Sequence, residues 1–289
     1  MSSAPTLPFS RLTVIGAGTM GHGIAQVSAA AGIDTCLYDI TAEAVGAGLE
    51  RVAQNLQKGV ARGKVTEEEA EATLTRLSGS PDLAVAVDGA DIVIEAIPEK
   101  LELKQALFRK LQDLVDETTV LGTNTSSISV ARIAEAAADP SRVVGLHFFN
   151  PVHIMKLLEI VHHDGTDPEV LAAVNAYGVA IGKECINVRD MPGFATSRLG
   201  VCLGMEAIRM VADGVASAED IDKAMVLGYR HPIGPLKLTD LVGLDVRMSI
   251  GEYLAKELNN PAFEPPALMR EMVAAGKLGQ KTKQGFYGW

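Results

Sequence analysis

Short, almost wholly apolar runs alternate with longer stretches of helical periodicity through the first two thirds of the chain. Leu12–Ile15 reads as a buried strand and Met20–Ala31 as a helix of small residues, with a cluster of glycines between them. Further strands are expected at Thr35–Tyr38, Asp91–Ala96, Thr119–Leu121 and Arg142–Leu146, separated by helices such as Ala42–Ala61 and Leu101–Val115. Strands alternating with helices argue for βαβ units and a mostly parallel sheet. The run "DIVIEA" is apolar on both alternating faces, which fits a sheet covered on both sides. "HFFNPVHIMKLLEIV" then reads as a strand, a turn around Asn150–His153 and a returning strand at Met155–Val161, followed by a helix at Pro168–Ile181 and a strand at Glu184–Val188.

From Gly193 onward the strand pattern stops. Phe194–Val211, Ala218–Leu227, Leu241–Leu258 and Pro266–Ala275 read as helices, with Pro232, Pro235 and Pro261 interrupting the chain between them. The Pro-Gly punctuation of "RDMPGF" coincides with this change of class and marks the expected domain junction. The expectation is therefore an α/β domain with a mostly parallel sheet over residues 1–191 and an all-α domain over 192–289.

Composition narrows the class further. Hydrophobic residues make up 47% and charged residues 21% of the 289 positions, which excludes a disordered chain. The formal charge of -10 has the wrong sign for a nucleic-acid binder, so an anionic ligand must be held by local devices such as helix N-termini and a few lysines. Three cysteines, Cys36, Cys185 and Cys202, have no metal-like spacing and suit a reducing, cytoplasmic compartment. Leu12–Ile33 carries no Asp, Glu, Lys or Arg, yet five glycines with His22 and Gln26 make it a poor membrane span.

Those glycines have a better explanation. "VIGAGTMGHGIA" holds Gly16, Gly18 and Gly21 in GxGxxG spacing, directly after a strand and opening a helix. The first permits the tight turn, the second lets backbone approach a pyrophosphate and the third allows close helix–strand packing, the arrangement of a Rossmann-type fold. Asp39 closes the next strand 23 residues after Gly16, where a carboxylate accepts hydrogen bonds from ribose hydroxyls and repels a 2′-phosphate; NAD is expected over NADP.

His147 stands at the end of an expected strand, and Glu159 follows 12 residues later. If the chain reverses near His153 the two become cross-strand neighbours, and a carboxylate on one imidazole nitrogen fixes the tautomer and raises the basicity of the other. Taken alone, a strand-end histidine is more often a satisfied structural residue and a strand glutamate a solvated edge. "TNTSS" places Asn124, Ser126 and Ser127 after another strand; Ser127 reads as a cap for the following helix and Ser126 as the better ligand candidate. No GxSxG elbow surrounds it. His162, His163 and Asp164 lack a third ligand at useful spacing, and no metal is expected.

Taken together, "GAGTMGHGIA", "EAIPEKLELK", "NTSSISV", "HFFNPVHIMKLLEIV", "PGFATSRL", "GYRHPIGPLKLTDLVGLD" and "GQKTKQGFYGW" resemble the L-3-hydroxyacyl-CoA dehydrogenase family in its short single-function form, over nearly the whole chain. The resemblance implies oxidoreduction between (S)-3-hydroxyacyl-CoA, of short chain, and 3-oxoacyl-CoA with NAD, within fatty-acid β-oxidation, by a homodimer. It assigns the acid–base role to His147, its orientation to Glu159, and a bond to the reacting oxygen to Ser126. Gly16, Gly18, Met20, Gly21, Asp39, Glu99, Lys104, Asn124, Asn150 and Lys281 fall on cofactor-site positions.

Two positions depart from the family pattern. Ser197 in "GFATSR" replaces the usual asparagine, substituting one hydroxyl for an amide at a substrate-binding position, and His153 stands where proline is usual. Lys58, Arg62 and Lys64 match the region that meets the CoA moiety, although exposed basic residues are as often a solvated face. Two other functions fit the same motifs: oxidation of a free hydroxy acid or sugar acid, and a nucleotide-binding structural or sensor protein with weakened catalysis, for which Ser197 speaks.

Overall fold

The computed structural model describes residues 7–289, so most of the Ser- and Pro-containing N-terminal arm lies outside the described residues. The chain divides into two compact units, the first ending at Asp190 and the second running Met191–Trp289.

The first unit is built on eight strands: β1 (Arg11–Ile15), β2 (Asp34–Tyr38), β3 (Leu77–Ser80), β4 (Ile92–Glu95), β5 (Val120–Thr123), β6 (Val143–Phe148), β7 (Leu157–His162) and β8 (Glu184–Arg189). Their spatial order is β3-β2-β1-β4-β5-β6-β7-β8. All neighbours run parallel except β6 and β7. The first six strands thus take the doubly wound order, whose switch point between β1 and β4 opens a crevice at the strands' C-terminal ends.

Seven helices connect them: α1 (Gly21–Ala30), α2 (Ala42–Ala61), α3 (Glu67–Thr75), α4 (Leu83–Val87), α5 (Leu101–Leu111), α6 (Val130–Ala134) and α7 (Pro168–Ala180). Their starts follow capping chemistry. Thr41 accepts from the Ala44 amide at the start of α2, and Thr66 and Glu69 form a reciprocal capping box on α3. The α6 cap is Ser129, which accepts from the Arg132 amide, and not the expected Ser127, because the chain makes a further turn before entering the helix. Leu12, Val14, Ile24, Leu37, Ile92, Ile94 and Leu146 fill the core between sheet and helices.

β3 and α3, α4 and α6 had no periodic signature: β3 reads "LSGS", with two exposed residues, and α4 and α6 are five residues long. In the second unit α8 (Thr196–Ala212), α9 (Ala218–Lys223), α10 (Pro235–Val242), α11 (Leu244–Leu258) and α12 (Ala267–Ala274) pack around Met205, Ile208, Leu236, Leu244, Leu254 and Met269. The helix expected over 241–258 is divided by Gly243, whose φ of 98° no L side chain adopts comfortably. Buried Asp240 holds the terminal segment by accepting from the Phe286 and Tyr287 amides and the Trp289 indole.

Candidate active site

The crevice begins at the β1–α1 loop, where the three glycines meet three different demands. Gly16 has φ 101°, and a Cβ there would lie 2.9 Å from the Ala96 carbonyl oxygen. At Gly21 a Cβ would fall 1.6 Å from the Gly16 carbonyl oxygen, so only glycine lets α1 approach the loop. A Cβ on exposed Gly18 would meet nothing within 4 Å; the space it leaves is open to a ligand. Gly48 also lets α2 approach, with Ala17 Cβ 2.8 Å from its would-be side chain, and Arg51 one turn later donates to the Ala17 carbonyl at 3.2 Å. The loop is therefore held from beneath and open above, as a pyrophosphate-binding turn requires.

Asp39 follows β2 and borders this loop. Its Oδ2 accepts from the Ala17 amide at 2.8 Å and its Oδ1 from the Ile40 amide at 2.7 Å, which fixes the carboxylate beside the glycine turn. Met20 precedes α1 and is half-buried. Backbone, glycines and carboxylate together fit an adenine dinucleotide lacking a 2′-phosphate.

Three strands along from β1, His147 on β6 lies directly opposite Glu159 on β7 in the antiparallel register. Nδ1 and Glu159 Oε2 are 2.6 Å apart, with the carboxylate fully buried and the imidazole nearly so. A carboxylate accepts only, so the bond calls for the proton on Nδ1, and in the neutral ring this leaves Nε2 as the acceptor. The Phe149 ring sits 4.4 Å from the imidazole, centroid to centroid. Asn124 Oδ1 accepts from the Phe148 amide at 3.0 Å, tying the end of β5 to the residue after His147.

The β5–α6 loop carries Ser126. Glu99 Oε1 accepts from Thr125 Oγ1 at 2.6 Å, from the Ser126 amide at 2.9 Å and from Ser126 Oγ at 3.3 Å. Burial raises the Glu99 pKa, but the Lys104 ammonium and these donated bonds outweigh it and hold the carboxyl below its ordinary range. Lys104, expected at a cofactor-site position, lies beneath this loop on α5. It has no exposed surface, and its Nζ is 2.7 Å from Glu95 and 3.4 Å from Glu99. Glu95 and Thr123 were not singled out in the sequence; the signal was the acid that ends the apolar run "IVIE".

Other candidates are placed as follows. Asn150 is exposed at the end of β6. His153 lies in the turn beyond it, where burial and then the nearby His22 and Lys183 charges lower its pKa. Lys58, Arg62 and Lys64 are all exposed, at the end of α2 and just past it. In the second unit, Ser197 is half-buried in the first turn of α8, and Lys281 forms an ion pair with Asp245 at 2.6 Å. His163 Nε2 lies 3.1 Å from the Pro140 carbonyl oxygen, and Asp164 pairs with Arg189. Among the described residues no cluster of three or more His, Cys, Asp or Glu forms a metal set.

Comparison with known proteins converges on one family. Residues 11–191 match the NAD binding domain of 3-hydroxyacyl-CoA dehydrogenase and residues 193–289 match its C-terminal domain. The chain is 41% identical over 283 residues to a probable 3-hydroxybutyryl-CoA dehydrogenase of Bacillus subtilis, covering 98% of both chains. It is 42% identical to the 3-hydroxybutyryl-CoA dehydrogenase of Mycobacterium tuberculosis, covering 96% of this chain and 97% of the relative. The crystal structure of (S)-3-hydroxybutyryl-CoA dehydrogenase from Ralstonia eutropha superposes with a TM-score of 0.94 at 40% identity, covering 97% of this chain and 99% of the other. The chain, an NAD-binding α/β unit followed by a helical one, therefore belongs to the 3-hydroxyacyl-CoA dehydrogenase family.

Proposed function

We propose that this protein interconverts short-chain (S)-3-hydroxyacyl-CoA and 3-oxoacyl-CoA with NAD, using His147 as acid and base, Glu159 to orient it and Ser126 to hold the reacting oxygen. The observation that carries this reading is the His147–Glu159 pair, buried at 2.6 Å beside the crevice of an NAD-binding sheet. Bound NAD supplies hydride acceptance in oxidation and, reduced, hydride donation in the reverse direction.

The residues divide the remaining work. In oxidation His147 Nε2 takes the 3-hydroxyl proton, and Glu159 stabilises the imidazolium that forms without itself being protonated. In reduction the same nitrogen returns a proton to the 3-oxygen. The Ser126 hydroxyl donates to that oxygen as negative charge develops on it. Gly16, Gly18 and Gly21 with the start of α1 cradle the pyrophosphate, and Asp39 accepts from the adenosine ribose. Lys58, Arg62 and Lys64 offer the positive charge a CoA phosphate needs, while Ser197, Asn150 and Lys281 are further ligand-facing candidates.

Exposed Leu199, Leu227 and Tyr229 on the helical unit suit a homodimer interface. Among the described residues no helix is long and apolar enough to cross a membrane, and three unpaired cysteines support a cytoplasmic setting within fatty-acid β-oxidation.

Oxidation of NADH by acetoacetyl-CoA, followed at 340 nm, tests the proposal. Turnover that fails with free acetoacetate is expected; no turnover with any 3-oxoacyl-CoA would remove it.

A further inference from the structure

Beneath the Ser126 loop lies a buried ionic chain that the acid–base pair does not use. Lys104, on α5, has no exposed surface, and its Nζ donates to both oxygens of Glu95, at 2.7 and 2.9 Å. Glu95, the last residue of β4, is equally buried, and Thr123 Oγ1 and the Ile97 amide donate to the same carboxylate. The ammonium also lies 3.4 Å from Glu99 Oε2, while Glu99 Oε1 gathers Thr125 and Ser126 of the β5–α6 loop. Two carboxylates thus share one ammonium, linking β4, α5 and β5 to the loop that carries Ser126.

Packing does not require this arrangement. A well-packed apolar pair of similar volume fills a core at least as stably as a buried ion pair, so burial alone gives no reason for charges here. A lysine side chain is also flexible, and its ammonium moves to wherever negative charge is concentrated. Glu95 holds it from below on two oxygens, leaving Glu99 only the longer contact. Glu99 can therefore turn its other oxygen toward the loop.

We infer that Glu95 is a positioning residue for the reaction: by holding Lys104, it fixes Glu99 so that Oε1 anchors the Ser126 amide and with it the loop that carries the hydroxyl, whose own longer bond to Glu99 is exchanged for the substrate oxygen. This rests on the reading of Ser126 as the group that meets the substrate oxygen. Removing the Glu95 charge lets Lys104 pair fully with Glu99, which draws that carboxylate away from the loop and releases Ser126.

The test compares Glu95→Gln with the double variant Glu95→Gln/Lys104→Met, which removes both buried charges together and keeps the experiment decisive if the single variant does not fold. Steady-state kinetics with NADH and acetoacetyl-CoA should show kcat lowered about 10- to 100-fold in both, with KM within about threefold of wild type, as a misaimed group predicts. Carbon-13 NMR of the Glu99 carboxyl provides a readout independent of turnover: its titration should move to lower pH in Glu95→Gln and to higher pH in the double variant. Lowered thermal stability with wild-type kcat and an unmoved Glu99 titration would make Glu95 merely structural and overturn the inference. Ser126→Ala separates the two levels. Wild-type kcat in that variant removes the reading of Ser126 and this inference with it, whereas a loss there with Glu95→Gln unaffected overturns this inference alone.

Discussion

His147 and Glu159 meet across the antiparallel step between β6 and β7, with Nδ1 and Oε2 2.6 Å apart at directly opposed register positions. The turn that reverses the chain is thereby part of the chemistry. A slip of one residue would send the two side chains to opposite faces of the sheet.

Glu159→Gln preserves the side chain's shape and removes its charge. The amide no longer stabilises an imidazolium, and it can present a donor where Nδ1–H needs an acceptor. By analogy with the aspartate of a serine-protease triad, kcat should fall by about 100- to 10,000-fold. NADH affinity, measured by fluorescence titration, should stay near wild type. A loss of NADH binding equal to the loss of rate would contradict the orienting role.

Gly18→Ala and Gly21→Ala should fail differently. The added methyl at Gly21 collides with the Gly16 carbonyl at 1.6 Å, so thermal stability should drop. At Gly18 the methyl meets nothing within 4 Å, so the fold should be unaffected while NADH binding weakens as the methyl occupies the ligand's space. Thermal denaturation and NADH titration of both variants check this. Equal stability losses would refute the distinction.

The order of elements and the glycine fingerprint were legible because each rests on local rules: apolar runs for buried strands, helical periodicity, and a turn only glycine can make. The His147–Glu159 partnership was legible too, since a 12-residue separation around one turn makes two strand residues neighbours. The buried Glu95–Lys104 pair was not. Its partners lie on separate elements, and a lysine in a helix reads as solvent-facing until the sheet is assembled. The edge strand β3 escaped for a related reason: it pairs only with β2 and lacks the apolar alternation that marks a half-buried strand.

Asp39→Ser removes the carboxylate that repels a 2′-phosphate and that accepts from the Ala17 and Ile40 amides. The ratio of kcat/KM with NADPH to that with NADH should rise by about tenfold or more, mainly through weaker use of NADH, given that a lost charge-assisted bond has about 1.5–3 kcal/mol of effect. An unchanged ratio would show that Asp39 does not set cofactor choice.

Acid should weaken the fold through its hydrogen-bonded carboxylates. Burial raises the Asp91 pKa, but donation from the Arg11 amide and from the Ser10 hydroxyl and amide outweighs it and brings the value below the ordinary 3.8. A carboxyl lowered in the folded state contributes stability that is complete above its unfolded value and is lost as pH falls through its folded value. Glu99 behaves the same way. The urea midpoint should be level near neutrality and fall below about pH 4, and the gap between wild type and Asp91→Asn should narrow on acidification. A gap that widens in acid would reverse the sign and refute the assignment.

The measurement closest to the central claim is His147→Gln assayed with acetoacetyl-CoA and NADH, alongside NADH binding to the same preparation. If His147 Nε2 moves the proton, kcat should fall by at least about 100-fold, the lower range for a lost general acid–base, while the NADH dissociation constant changes by less than about threefold. A variant that keeps near wild-type kcat, or that loses rate only in proportion to lost cofactor binding, would contradict the account.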